Sequence, residues 1–234
     1  MNSHHRDLLE AIEHAAGEPT QHTFSDTYLG NSNPRFAINA PTLRAIARTW
    51  SMENKALSQN EFVTTIDSLI KGVSSTEKML AGMLLDRATA DQRAFNPKSF
   101  DKWLEHLCGW AEVDVVCTGA FTSKTLPLQP NAWSPLLTKF SKSKDIHKRR
   151  ASLVFLCSPM SHHKASWMEA IAIHNIERLK SEKEILITKA ISWLLRSMIK
   201  NYRSTVEKYL KLQGDTLPAI ALRETKTKLL TGRK

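Results

Sequence analysis

Three stretches of the chain combine residue types and spacings that could do chemistry. The first is Gly109-Trp110-Ala111-Glu112-Val113-Asp114. On a helix, Trp110 and Asp114 lie one turn apart on a common face. An indole beside a carboxylate could cradle an electron-poor, cationic group, with the acid set against a developing positive centre. The same spacing also suits a core tryptophan followed by an exposed acid near a helix N-terminus, where acids are favoured anyway. The second stretch covers 184–200, whose apolar stripe is Ile187, Ile191, Leu194, Leu195 and Met198. Trp193 lies off that stripe and shares a face with Lys189, Arg196 and Lys200. It could serve as a platform for a sugar or base flanked by phosphate-binding charges, or as a packing residue covered by lysine stems. The third stretch is the reverse case. Over 145–157, Arg150 falls inside the stripe of Ile146, Leu153, Val154 and Cys157. A guanidinium on a buried face needs a partner, either a carboxylate such as Asp114 or a ligand phosphate. Its neighbours Lys148 and Arg149 fit a solvated face. A weaker signal is Tyr28 with Asn39, flanking a Pro-containing loop: Tyr can stack and Asn can read a base edge, or the loop can be purely structural.

Helical periodicity positions all of these groups. Leu8, Leu9, Ile12, Ala15 and Ala16 suit a first helix ending near Gly17. Pro41 suits the first position of a helix carrying Leu43, Ile46, Ala47 and Trp50. Further helices follow around Phe62–Ile70, Thr76–Leu85 and Phe100–Leu107, then over 133–141, 145–157, 166–180, 184–200, 202–212 and 215–230. No hairpin pattern stands out. The expectation is an all-α single domain over residues 1–234: a curved solenoid of HEAT-like antiparallel helix pairs, with a compact bundle as the alternative.

Composition narrows the partners. Lys and Arg total 33 against 23 acids, a formal charge of +10, and such a balance often accompanies nucleic acid or an anionic surface. Cys108, Cys117 and Cys157 form no CxxC pair and make an odd count, which fits a reducing cytoplasm better than a disulfide framework. His4-His5 and His162-His163 lack the spacing of a metal site. No metal and no cofactor is expected. The N-terminus lacks the apolar core of a signal peptide, and no apolar run is long enough to span a membrane.

Taken together and in order, these residues resemble a known family. Trp-x-x-Val-Asp at 110–114, Lys-Arg-Arg-Ala-Ser at 148–152, Ala-Ile-Ser-Trp-Leu-Leu-Arg at 190–196, Tyr-Leu-Gly…Pro…Ala-Pro-x-Leu-Arg from Tyr28 to Arg44 and the tail from Leu222 are similar to the bacterial DNA alkylation repair family of HEAT-like alkylpurine glycosylases, the AlkD type. Ala37 departs from the glycine common in relatives.

The resemblance implies a curved helical solenoid whose basic concave face holds duplex DNA containing alkylated purines. It implies release of cationic 3- and 7-alkylpurines by hydrolysis of the N-glycosidic bond, without turning the base into a pocket. Asp114 would then be the catalytic carboxylate, and Trp110 and Trp193 would contact the sugar of the damaged nucleotide. Arg150 would be the nearby cation, chosen over Arg149 by the stripe and the family alignment. Tyr28, Asn39, Arg149, Lys189, Arg196 and Lys200 would face DNA. A cytoplasmic, nucleoid-associated monomer is expected. Two other classes remain open at this point: a non-catalytic HEAT-like protein for distorted or branched DNA, and a protein-interaction solenoid.

Overall fold

The computed structural model describes residues 1–17, 19–20, 30 and 32–233. These are helical almost throughout, apart from a two-residue antiparallel pair, β1 (Pro19–Thr20) and β2 (Arg35–Phe36), in which Pro19 faces Phe36. The chain forms two compact units, Met1–Phe121 and Thr122–Lys234.

In the first unit, α1 (Ser3–Ala16) starts where the Asn2 side chain accepts from the His5 N–H at 2.8 Å, and ends at Gly17. Leu8 and Ile12 form its buried stripe. Helix α2 (Ala40–Glu53) carries Pro41 in its first turn, as the sequence predicts. Helices α3 (Gln59–Ile70) and α4 (Ser75–Arg87) both begin with capping boxes, Ser58 with Glu61 and Ser74 with Glu77. Glu77 does more than cap. Its second oxygen meets buried His5 Nε2 at 2.8 Å, so one carboxylate both starts α4 and anchors α1. Short α5 (Ser99–Trp103) leads through a 3-10 turn into α6 (Gly109–Cys117). Phe95, Phe100, Trp103 and Phe121 pack as an aromatic cluster, with the Phe95 and Phe121 rings stacked at 4.8 Å. Helix α4 packs against α2, α3 and α6.

The short α7 (Ala120–Thr125) carries the chain over the boundary between units. The second unit comprises α8 (Pro130–Ser141), α9 (Ile146–His162), α10 (Ser166–Leu179), α11 (Ile185–Gln213) and α12 (Ala219–Thr231). Every residue from Arg150 to Cys157 is buried, so α9 is surrounded, and it packs against α8, α10 and α11. It runs beyond the stripe that ends at Cys157, passing through Pro159 to bury Met160. Pro159 has no N–H to donate to the Phe155 carbonyl, a loss set against the burial of Met160. Helix α11 is continuous by hydrogen bonding but breaks its dihedrals at Tyr202 (φ −132°, ψ 36°). That is the point between the expected helices 184–200 and 202–212. The Tyr202 hydroxyl accepts from the Ala165 N–H at 2.7 Å, which ties the kink to the α9–α10 turn.

Candidate active site

In the first unit, α6 carries both Trp110 and Asp114. Cys108 is extended and Gly109 has φ +71°, a combination that lets the helix begin abruptly after the preceding turn. Helix α6 approaches α4 unusually closely. A Cβ on Gly82 would lie 2.6 Å from the Val115 carbonyl oxygen, so only glycine allows this contact beside Asp114. Trp110 and Asp114 are both half-buried. Thr118, one turn further, donates its hydroxyl to the Asp114 backbone carbonyl at 2.7 Å.

The other carboxylate of this helix has the opposite environment. Glu112 is wholly buried; its Oε2 accepts from the Cys108 N–H at 2.7 Å, and Asn33 Nδ2 reaches Oε1 and Oε2 at 3.1 and 3.3 Å. Of the two acids, Asp114 is the more exposed. Val115 and Thr118, just beyond it, help to line a cleft of about 230 Å³ with Arg44, Met83, Asp86 and Arg87. Two exposed guanidinium groups thus border a cleft that begins within a turn of Asp114.

Asn39 is exposed and caps α2, its side chain accepting from the Thr42 N–H at 2.9 Å. Tyr28 lies outside the described residues.

In the second unit, Arg150 is 5% exposed, on the buried side as the apolar stripe requires. It donates to the Leu186 carbonyl in the first turn of α11. Lys189 and Trp193 follow Leu186 by three and seven residues, roughly one and two turns along α11. Trp193 and Lys189 are half-buried, and Lys200 is exposed. Arg149 and Arg196 have internal partners that the sequence did not reveal. Arg149 pairs with Glu182 (Nε–Oε1 2.8 Å, Nη2–Oε2 3.2 Å) and donates to the Ser143 and Lys144 carbonyls. Arg196, 8% exposed, meets Glu224 of α12 at 3.3 Å and the Ser192 carbonyl at 3.1 Å. Both guanidinium groups thus hold elements together within the unit. Spacing along one helix placed Arg196 beside Trp193, but a partner on a distant helix leaves no trace in that spacing.

Among the described residues, no group of three His, Cys, Asp or Glu is gathered as a metal site. No helix among the described residues is long and apolar enough to cross a membrane.

The described residues thus form a helical fold with a tryptophan–carboxylate pair in one unit and a tryptophan with a neighbouring lysine in the other. Comparison places it more narrowly. Residues 9–229 match the model of the DNA alkylation repair enzyme family, and the chain belongs to that family. Its fold is similar to that of a predicted DNA alkylation repair enzyme from Enterococcus faecalis, with TM-score 0.71 at 17% identity, over 91% of this chain and 98% of that one. No curated protein matches the chain. The family ties the chain to repair of alkylation damage in DNA.

Proposed function

We propose that this protein is a DNA glycosylase that removes cationic 3- and 7-alkylpurines from duplex DNA. The observation that carries the proposal is the contrast within α6. Asp114 is a half-buried carboxylate one turn from an indole, whereas Glu112 is wholly buried.

A 7-alkylpurine already bears positive charge and departs as a neutral base without protonation. The C1′–N bond breaks with both electrons leaving on the base, and the sugar passes through an oxocarbenium-like state. Asp114 stabilises that cation and orients water, which bonds to C1′ and gives up its proton to the carboxylate or to solvent. The Trp110 ring beside the sugar excludes bulk water and strengthens the electrostatics. Trp193 is assigned to a nucleotide sugar, and Lys189, Lys200, Arg44 and Arg87 to the backbone; Arg150, 5% exposed and donating to the Leu186 carbonyl, is assigned to the framework. Arg149 and Arg196 are assigned to the framework, because their guanidinium groups already hold Glu182 and Glu224. Because the leaving group needs no acid, selection for labile cationic lesions follows without a pocket for the base.

A base-release assay on dimethyl-sulfate-treated duplex, run beside a mobility shift on unmethylated duplex, separates this function from the alternatives. A glycosylase binds duplex and liberates 7-methylguanine or 3-methyladenine. Binding without release would leave a non-catalytic DNA-binding protein, and absence of both a protein-interaction module.

A further inference from the structure

We propose that Glu112 is a positioning residue of the site: a buried carboxylate that fixes the rotation of α6 about its axis, and with it the directions of Trp110 and Asp114. This rests on the glycosylase function proposed above. A carboxylate at 0% exposure is costly unless its lone pairs and charge are matched. Here the match comes from several stretches of chain at once. The Cys108 N–H at the start of α6 binds Oε2 at 2.7 Å. Asn33, ahead of β2, spans both oxygens. Cys108 in turn donates its thiol to the Gly30 carbonyl at 3.0 Å, so the same stretch is held twice.

Two cations complete the cluster. Lys78 of α4 is buried, and burial lowers its pKa while Glu112, Glu77 and Cys108 act in the opposite direction. Its ammonium caps the end of α3 through the Ile70 carbonyl at 3.1 Å and the Gly72 carbonyl. Burial likewise lowers the pKa of Arg35 in β2, against the field of Glu112. Glu112 therefore ties α6 to the residues before β2, within the field of Lys78 on α4 and Arg35 on β2.

The consequence for the site is geometric. Trp110 and Asp114 lie two residues to either side of Glu112, and on a helix such neighbours project from roughly the opposite face. Releasing the inward anchor lets the first turn fray or roll, and both outward groups move together. A displacement of the order of 1 Å at a reacting group is enough to cost about two orders of magnitude in rate.

The test compares Glu112→Ala, Glu112→Gln and wild type in single-turnover excision, in duplex affinity and in 19F NMR of 5-fluorotryptophan protein. The Trp110 resonance is assigned by its loss in Trp110→Phe. Glu112→Gln keeps an acceptor for Cys108, and Glu112→Ala removes it. The expected result for Glu112→Ala is an excision rate lower by about tenfold or more, duplex Kd within about twofold, and a shifted or broadened Trp110 resonance with the other indoles unmoved. Glu112→Gln is expected to recover most of the rate and the resonance position. A folded Glu112→Ala protein with an unmoved Trp110 resonance and full rate would overturn the proposal, as would equal losses in both variants. Should Glu112→Ala fail to fold, Asn33→Ala removes one donor alone and is judged by the same shift of Trp110. A wild-type protein that binds duplex but never excises would sink the glycosylase function, while the Trp110 resonance would still decide the role of Glu112.

Discussion

Glu112 and Asp114 stand two residues apart on α6 and meet opposite surroundings, one sealed and matched, the other half-open. The sequence contains both acids, and helical spacing paired Asp114 with Trp110. Nothing in that spacing marked Glu112 as an anchor. A carboxylate four residues after Cys108 can fold back on the helix start, but its second partner, Asn33, is distant in sequence. Arg150 shows the converse, because an arginine inside an apolar stripe is visible in sequence and is buried in the fold. Arg196 is a third case. Its spacing from Trp193 suggested a DNA contact, whereas Glu224 and burial make it an ion-pair residue. Arg196→Ala is therefore expected to lower stability by about 1–3 kcal/mol and to leave the salt dependence of duplex binding unchanged. Thermal denaturation and a salt titration check this; weaker binding at unchanged Tm would contradict it.

Apolar periodicity made the helices themselves legible, from the Gly17 stop of α1 to the Tyr202 break in α11. It missed the end of α9, because the apolar stripe stops at Cys157 while the helix runs on through Pro159 to bury Met160. It also gave no hint that α4 and α6 touch at Gly82. Gly82→Ala would push a methyl group against the Val115 carbonyl, and such overpacking costs about 1–3 kcal/mol. Both Tm and the single-turnover rate are expected to fall, and a variant with wild-type values would show that the close approach is unimportant. The joint between α1 and α4 carries a pH signature. Burial alone would raise the Glu77 carboxyl, but hydrogen bonds from His5 and Ser74 outweigh it and hold its pKa below the ordinary carboxylate value. A depressed carboxyl stabilises the fold above its unfolded pKa, and that stability is lost as pH falls through the folded pKa. The Tm gap between wild type and Glu77→Gln is thus expected to be full above about pH 5 and to shrink below about pH 4. A gap that stays constant across that window would contradict the assignment.

For the whole molecule, the formal charge of +10 is the coarsest signal in the sequence and says only that anions are attracted. The ion pairs of Arg149 and Arg196 show why a residue count overstates the binding face: some cations serve the fold. The exposed or half-exposed lysines of α11 are a different matter. Each phosphate contact contributes roughly 0.9 to the slope of log affinity against log salt. Lys189→Ala with Lys200→Ala is expected to flatten that slope by up to about 2. An unchanged slope would take this face of α11 away from DNA.

The central claim is that one carboxylate supports departure of a charged purine, and it is tested most directly by single-turnover release of 7-methylguanine from methylated duplex by Asp114→Asn. Excision should fall by about two to three orders of magnitude while duplex affinity stays within about twofold of wild type. An Asp114→Asn protein that releases the base at the wild-type rate would contradict the account.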